Sequence, residues 1–211
     1  MDQAPITGHP PLFHDDGVIK YHCDWQASPP ILDPALADLM AWRDRLYGQG
    51  LIGVYPDGVG YGNLSHRHHD QGFFISGTQT GDLPTTTPDH YAWVNQWDIA
   101  ANYLHCQGPI QASSESLTHA ALYEQTNDIQ AIVHGHHPQL WQTYQQVLPT
   151  TRPEVPYGTP AMAAEMGRLF RESDVATQRV LIMAGHEDGI LSFGPTLEAA
   201  AQALLALLPV G

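Results

Sequence analysis

The sequence predicts a single layered α/β domain built on a mixed sheet. Three observations carry that expectation. Helical and extended patterns interleave along all 211 residues. Several consecutive extended runs are joined by short turns. The length suits one domain with a sizeable core, and no internal repeat or low-complexity tract divides it.

Taken in order, residues 1–32 are rich in proline and read as an extension that packs on the domain, with a short strand at Val18–Tyr21. The domain proper is expected over 33–211. Asp33-Pro34 is a helix start, with Asp as cap and Pro at the first helical position. Leu36, Leu39, Met40, Arg43 and Leu46 follow at helical spacing, and Gly48 or Gly50 ends the helix. Leu51–Tyr55 reads as a strand. The passage DGVGYGNLSHRHHDQG then reads as a glycine loop, whose Gly58, Gly60 and Gly62 allow tight turns and exposed amides. His66, Arg67, His68, His69 and Asp70 read as its solvated polar tip. Strands are expected at Gln71–Ser76 and Tyr91–Val94, with a small-residue turn, GTQTGD, after the first. Trp97–Tyr103 is ambiguous, and Gly108-Pro109 is a turn.

The stretch Ser113–Pro138, SSESLTHAALYEQTNDIQAIVHGHHP, organises the rest. Ser114 is placed to cap a helix that carries Leu117, Ala120, Ala121 and Tyr123 on its apolar stripe. Asp128 breaks the helix, and Ile129, Ala131 and Val133 begin a strand. Residues two apart on a strand share a face, so His134 and His136 point one way and His137 the other. Two imidazoles on one face are half a metal site, and a third ligand must come from elsewhere. Taken alone, Glu115 is an acid favoured by the dipole at a helix start, and the histidines are a polar strand end. Their combination favours a metal and an acid/base over these plain readings, but spacing alone does not decide between them.

Beyond Pro138, a helix is expected over Leu140–Val147, and TTRPEVPYG is a proline-bound loop. Thr159-Pro160 starts a helix bearing Met162, Met166, Leu169 and Phe170. Arg179–Ala184 is an apolar strand that ends at Gly185-His186 and pairs with Gly189–Phe193 as a hairpin. Pro195-Thr196 starts the last helix.

Composition excludes several classes. The formal charge is −14 with only 8 Lys and Arg, which argues against nucleic acid or an anionic membrane as partner. An anionic substrate would have to be held by backbone N–H groups, hydroxyls or a metal. Two cysteines, Cys23 and Cys106, are too few for a disulfide framework and read as reduced structural thiols. Thirteen histidines make a metal site worth seeking. MDQAPITGHPPLF has no basic stretch followed by an apolar one, and no apolar run is long enough to span a bilayer; a cytoplasmic location is expected.

Four motifs occur in order: GN-x-S-x-R at Gly62–Arg67, SG at Ser76-Gly77, SSE followed by H-x-H, and a strand ending at His186. Together they resemble the class II aldolase/adducin family over about residues 35–205. The resemblance implies a three-layer α/β/α domain with a largely antiparallel central sheet. It implies a divalent metal, usually Zn2+ with Mn2+, Fe2+ or Co2+ as alternatives, on His134, His136 and His186. Glu115 would be the catalytic acid/base. Gly62, Asn63, Ser76, Gly77, Ser113 and Ser114 would hold a substrate phosphate. The implied function is a lyase of carbohydrate metabolism that cleaves a small phosphorylated sugar by a retro-aldol route through a metal-stabilised enediolate. A sugar-phosphate dehydratase, or a non-catalytic adducin-like binding protein, is the alternative. The implied assembly is a homotetramer with sites between subunits. The sequence departs from the family pattern after His186, where Glu187 and Asp188 precede Gly189. The SGTQTGDL turn looks more like the dehydratase branch. The aldolases' second acid, a tyrosine, has only Tyr144 and Tyr157 as candidates, with Glu187 as a further acid beside the third histidine.

Overall fold

The computed structural model describes residues 17–68 and 71–209. Its frame is an eight-stranded sheet. In chain order its members are β1 (His22–Ala27), β4 (Asn63–Arg67), β5 (Phe73–Ser76), β6 (Tyr91–Asp98), β7 (Tyr103–Gly108), β8 (Ala131–His136), β9 (Val180–Ile182) and β10 (Gly189–Gly194). The spatial order is β1-β7-β6-β5-β4-β8-β10-β9. Every pairing is antiparallel except β1 with β7, so the sheet is mixed and largely antiparallel as expected. A separate small hairpin pairs β2 (Gly53–Val54) with β3 (Gly60–Tyr61).

The inner strands are buried on both faces, which explains the apolar runs. Phe73 and Ile75 of β5, Ile132 of β8, and Leu191 and Phe193 of β10 enter one core. Phe74, Val133 and Ile190, one residue out of step, enter the other. The first core is closed by α2 (Ser116–Tyr123), α4 (Pro160–Glu172) and α5 (Val175–Gln178). The second is closed by α1 (Ala35–Gly48), α3 (Pro138–Tyr144) and α6 (Leu197–Leu205). The result is the three-layer arrangement. Thr159 and Thr196 cap α4 and α6 by accepting from Met162 N–H at 3.2 Å and Ala199 N–H at 3.0 Å. Asp33 Oδ1 accepts from Ala35 N–H at 2.8 Å, while α1 begins at Ala35 with Pro34 in the cap position, one residue later than read.

Several expectations need correction. The first strand is His22–Ala27 rather than Val18–Tyr21, because ladder pairing with β7, and not any apolar alternation, fixes it. Leu51–Tyr55 yields only the two residues of β2 and lies outside the main sheet. Residues 63–67 are not a solvated turn but the central strand β4, paired with both β5 and β8. Of the supposed polar tip, His66 and Arg67 lie on that strand, and His69 and Asp70 fall outside the described residues. So do residues 1–16 of the extension. The ambiguous stretch resolves into the end of β6, a turn at 99–102 and the start of β7. Cys23 and Cys106 are free thiols whose Sγ atoms lie 3.9 Å apart across β1 and β7. Among the described residues, no helix is long and apolar enough to cross a membrane.

Candidate active site

β8 delivers His134 and His136 to the face of the sheet covered by α2. Ile132, two residues before His134, packs in the α2 core, so the period of two places both imidazoles on that side. His137 turns away and opens α3, where its Nδ1 accepts from Leu140 N–H at 3.4 Å. His186 comes from the connection between β9 and β10. That turn is closed by His186 N–H on Met183 O and Gly189 N–H on His186 O, both 3.0 Å. It is tied to the end of β8 by His137 N–H on Asp188 O, also 3.0 Å. Gly185 is required here, because a Cβ would lie 1.9 Å from Val155 O in the loop that packs on the turn.

The three rings converge. Their centroids are 4.8 Å apart for His134 and His136, 5.0 Å for His134 and His186, and 4.7 Å for His136 and His186. One ring nitrogen from each lies within 4.8 Å of the other two, and all three side chains are buried. Each imidazole has its own support. Asn63 Nδ2 lies 3.4 Å from His134 Nδ1. Tyr55 OH shares a 2.7 Å hydrogen bond with His136 Nδ1, and the Tyr61 ring stacks on His136 at 5.3 Å. The Tyr157 ring stacks on His186 at 4.3 Å with planes 21° apart. Partners on one imidazole nitrogen fix the ring and direct the other nitrogen inward.

Glu115 reaches this group from the start of α2. Its Oε1 is 3.9 Å from His186 Nδ1, and its side chain is buried. Ser114 does not cap the helix as the sequence suggests. The SSES run folds as a turn, with Ser116 N–H and Ser116 Oγ both donating to Ser113 O at 3.0 and 2.6 Å. The hydroxyl used locally is that of Ser113, which accepts from Glu115 N–H at 3.3 Å. Helical residues therefore begin one position after Glu115, which leaves that carboxylate at the positive end of the helix.

The serine and arginine of GN-x-S-x-R set the angle of α2. Ser65 Oγ bonds His119 Nδ1 at 2.7 Å and Tyr123 OH at 2.8 Å. Arg67 donates to Tyr123 O at 2.7 Å and to Ile129 O at 3.0 Å, closing the far end of the helix. Burial pushes the His119 imidazole down to about 3, so it is neutral at pH 7.

The three histidines and Glu115 open onto one narrow cleft. Gly62, Asn63, Gly77, Ser113 and Ser114 line it. Ser76 does not; it is buried, and its Oγ accepts from Leu64 N–H at 3.2 Å between β5 and β4. Sequence reasoning overlooks Tyr61 and marks the turn Thr78–Gly81 without naming it among the site residues; both also line the cleft. Arg43, buried in α1, holds that turn by donating to Thr80 O at 2.5 Å and to Leu83 O. Among the described residues, no lysine or arginine lines the cleft. Of the three other candidate acids, Tyr157 stacks beside the site, whereas Tyr144 packs in the α1/α6 core and Glu187 is exposed.

The donor set fits a divalent ion. His134 Nε2 is buried with no hydrogen-bond partner. Burial, then the neighbouring imidazoles, push His134 well below the usual histidine range, so its lone pair is available. Gly189 leaves the space beside it, since a Cβ there would lie 3.2 Å from His134 Nε2. Three imidazoles with room for a further ligand match a catalytic metal site rather than a closed structural one.

The family model described as the class II aldolase and adducin N-terminal domain matches residues 56–208. No curated protein matches the chain. The L-fuculose-1-phosphate aldolase of Thermus thermophilus is similar in structure, with a TM-score of 0.59 and 23% identity over 82% of this chain and 88% of that one. A sugar-phosphate aldolase from Thermotoga maritima gives 0.59 and 14% over 82% and 90%. An aldolase II superfamily protein from Pseudomonas syringae gives 0.57 and 21% over 83% and 73%. At these identities the likeness speaks for the fold, while the family model covers most of the chain and rests on its sequence. The chain belongs to the class II aldolase and adducin family.

Proposed function

We propose that this chain is a divalent-metal-dependent lyase that cleaves the carbon skeleton of a small phosphorylated sugar by a retro-aldol route. The observation that carries the reading is the Glu115 carboxylate, buried 3.9 Å from His186 beside a three-histidine centre. A divalent ion held by His134, His136 and His186 would supply positive charge where negative charge develops on substrate oxygen. Glu115 moves the proton. It is held between a helix N-terminus and an imidazole, and it faces the cleft that would receive the substrate. The hydroxyls of Ser113 and Ser114, at the start of α2, offer neutral donors to a phosphate, and Gly62, Asn63 and Gly77 line the same cleft. Anion capture by neutral donors suits a cleft that, among the described residues, no lysine or arginine lines.

We take zinc as the metal, a homotetramer as the assembly and the cytoplasm as the location, in keeping with the resemblance that the motifs carry. Dehydration of a sugar phosphate is the second reading. It is favoured by the Thr78–Gly81 turn, which resembles the dehydratase branch and lines the cleft. Both reactions need Glu115 to move a proton. A panel of ketose phosphates, assayed for aldehyde release and for water loss, separates them. Glu115→Gln is expected to lower turnover by roughly 10²–10⁴-fold with the metal still bound. Near-normal turnover in that variant, with metal retained, would return Glu115 to a purely structural role.

A further inference from the structure

The segment that precedes β1 is tied to the walls of the cleft. Thr78 Oγ1 donates to Gly17 O at 3.1 Å, and Gly17 lines the cleft. Tyr21 OH donates to Ser113 O at 2.9 Å and lies 3.2 Å from Ala112 O, on the turn that presents Glu115. Between these two anchors lies Lys20. Its backbone oxygen accepts from Asn102 Nδ2 at 2.9 Å. Its side chain runs past Gly158 and ends with Nζ 3.5 Å from the centroid of the Tyr157 ring. The Tyr157 ring stacks on His186 at 4.3 Å.

We infer that Lys20 is a positioning residue of the metal centre, acting through Tyr157 to hold the His186 imidazole in its ligating orientation; this rests on the metal reading above. His186 sits on a turn, not on a strand like His134 and His136, so its ring needs support that the sheet does not give. The Tyr157 face supplies that support, and the Lys20 side chain packs in turn against the Tyr157 ring. An ammonium group over an aromatic face is attracted by the ring quadrupole, and most strongly where water is partly excluded, as it is for the half-buried Lys20. A chain with only 8 Lys and Arg places one of them here.

The test is Zn2+ affinity, measured by competition with a chromophoric chelator on the tag-free full chain, alongside the melting temperature of the metal-free protein. Lys20→Met keeps the length of the stem and removes the charge; Lys20→Arg keeps the charge. Lys20→Met is expected to weaken Zn2+ binding by roughly three- to tenfold, the scale of a partly buried cation–π contact. Its metal-free melting temperature should be unchanged, and Lys20→Arg should bind nearly as the wild type. Tyr157→Leu should lose as much or more, and Lys20→Met added to it should lose nothing further. Wild-type affinity in Lys20→Met, a loss additive with Tyr157→Leu, or a loss matched by a lower metal-free melting temperature would each overturn the inference and leave the metal reading standing. A wild-type chain that binds no Zn2+ would overturn both.

Discussion

Ser65→Ala deletes one hydroxyl and should cost far more than its size suggests. Ser65 is fully buried on β4, and its Oγ is the shared partner of His119 Nδ1 at 2.7 Å and Tyr123 OH at 2.8 Å. Alanine removes no ring or methyl packing, so the cavity left is about the size of one oxygen atom. It does strand two polar groups in a site closed to water. Each buried group without a partner costs about 1–3 kcal/mol, so the expected loss is about 2–6 kcal/mol. The measurement is urea unfolding followed by circular dichroism, with the slope against denaturant checked for constancy so that only stability has changed. A companion variant decides the cause. Ser65→Ala combined with Tyr123→Phe removes one of the stranded groups and should recover part of the loss. A cost below about 1 kcal/mol, or no recovery in the double variant, would refute the claim that this network pins α2 to the sheet.

Two further outcomes follow from the site. Gly189→Ala would put a methyl 3.2 Å from His134 Nε2 and from His186 Cγ, and 3.1 Å from His186 O. It should weaken metal binding by roughly 10–100-fold, the range seen when a ligand's surroundings are disturbed, and a Zn2+ titration would show it. The second outcome is acid sensitivity of the metal-free chain. The His119 imidazole is held at about 3 against an ordinary 6.5, so below pH 6.5 the unfolded chain takes up a proton that the folded one refuses. Stability from this group is complete above pH 6.5 and is lost as pH falls toward 3, with a slope approaching about 1.4 kcal/mol per pH unit. His119→Gln should flatten that limb in pH-dependent unfolding, and an unchanged limb would contradict it.

What the sequence discloses follows the range of each interaction. His134 and His136 are legible because a strand's period of two is a local rule. The helix starts at Asp33, Thr159 and Thr196 are legible because a cap acts within a few residues. His186 enters only through the resemblance, since nothing local marks one histidine on a turn as the third member of a set. β4 escapes a local reading because NLSHR looks like a polar loop; its polarity is absorbed by His119 and Tyr123 on α2 and by carbonyls at that helix's end. β1 and β7 escape it for a related reason: their pairing joins residues some eighty positions apart, and β1 is largely exposed. Tyr55, Tyr157 and Lys20 carry no motif at all. Each acquires its role from a contact across the fold, and Tyr55 stands 81 positions from the histidine it holds.

If His134, His136 and His186 hold one divalent ion beside Glu115, metal content and Zn2+ titration of the chain purified without an affinity tag, with His186→Ala in parallel, read it most directly. One ion per chain is expected in the wild type and its loss in His186→Ala, with the metal-free folds of the two alike. Absence of any bound divalent ion after Zn2+ loading, or full retention of it in His186→Ala, would mean that the three histidines do not hold a metal.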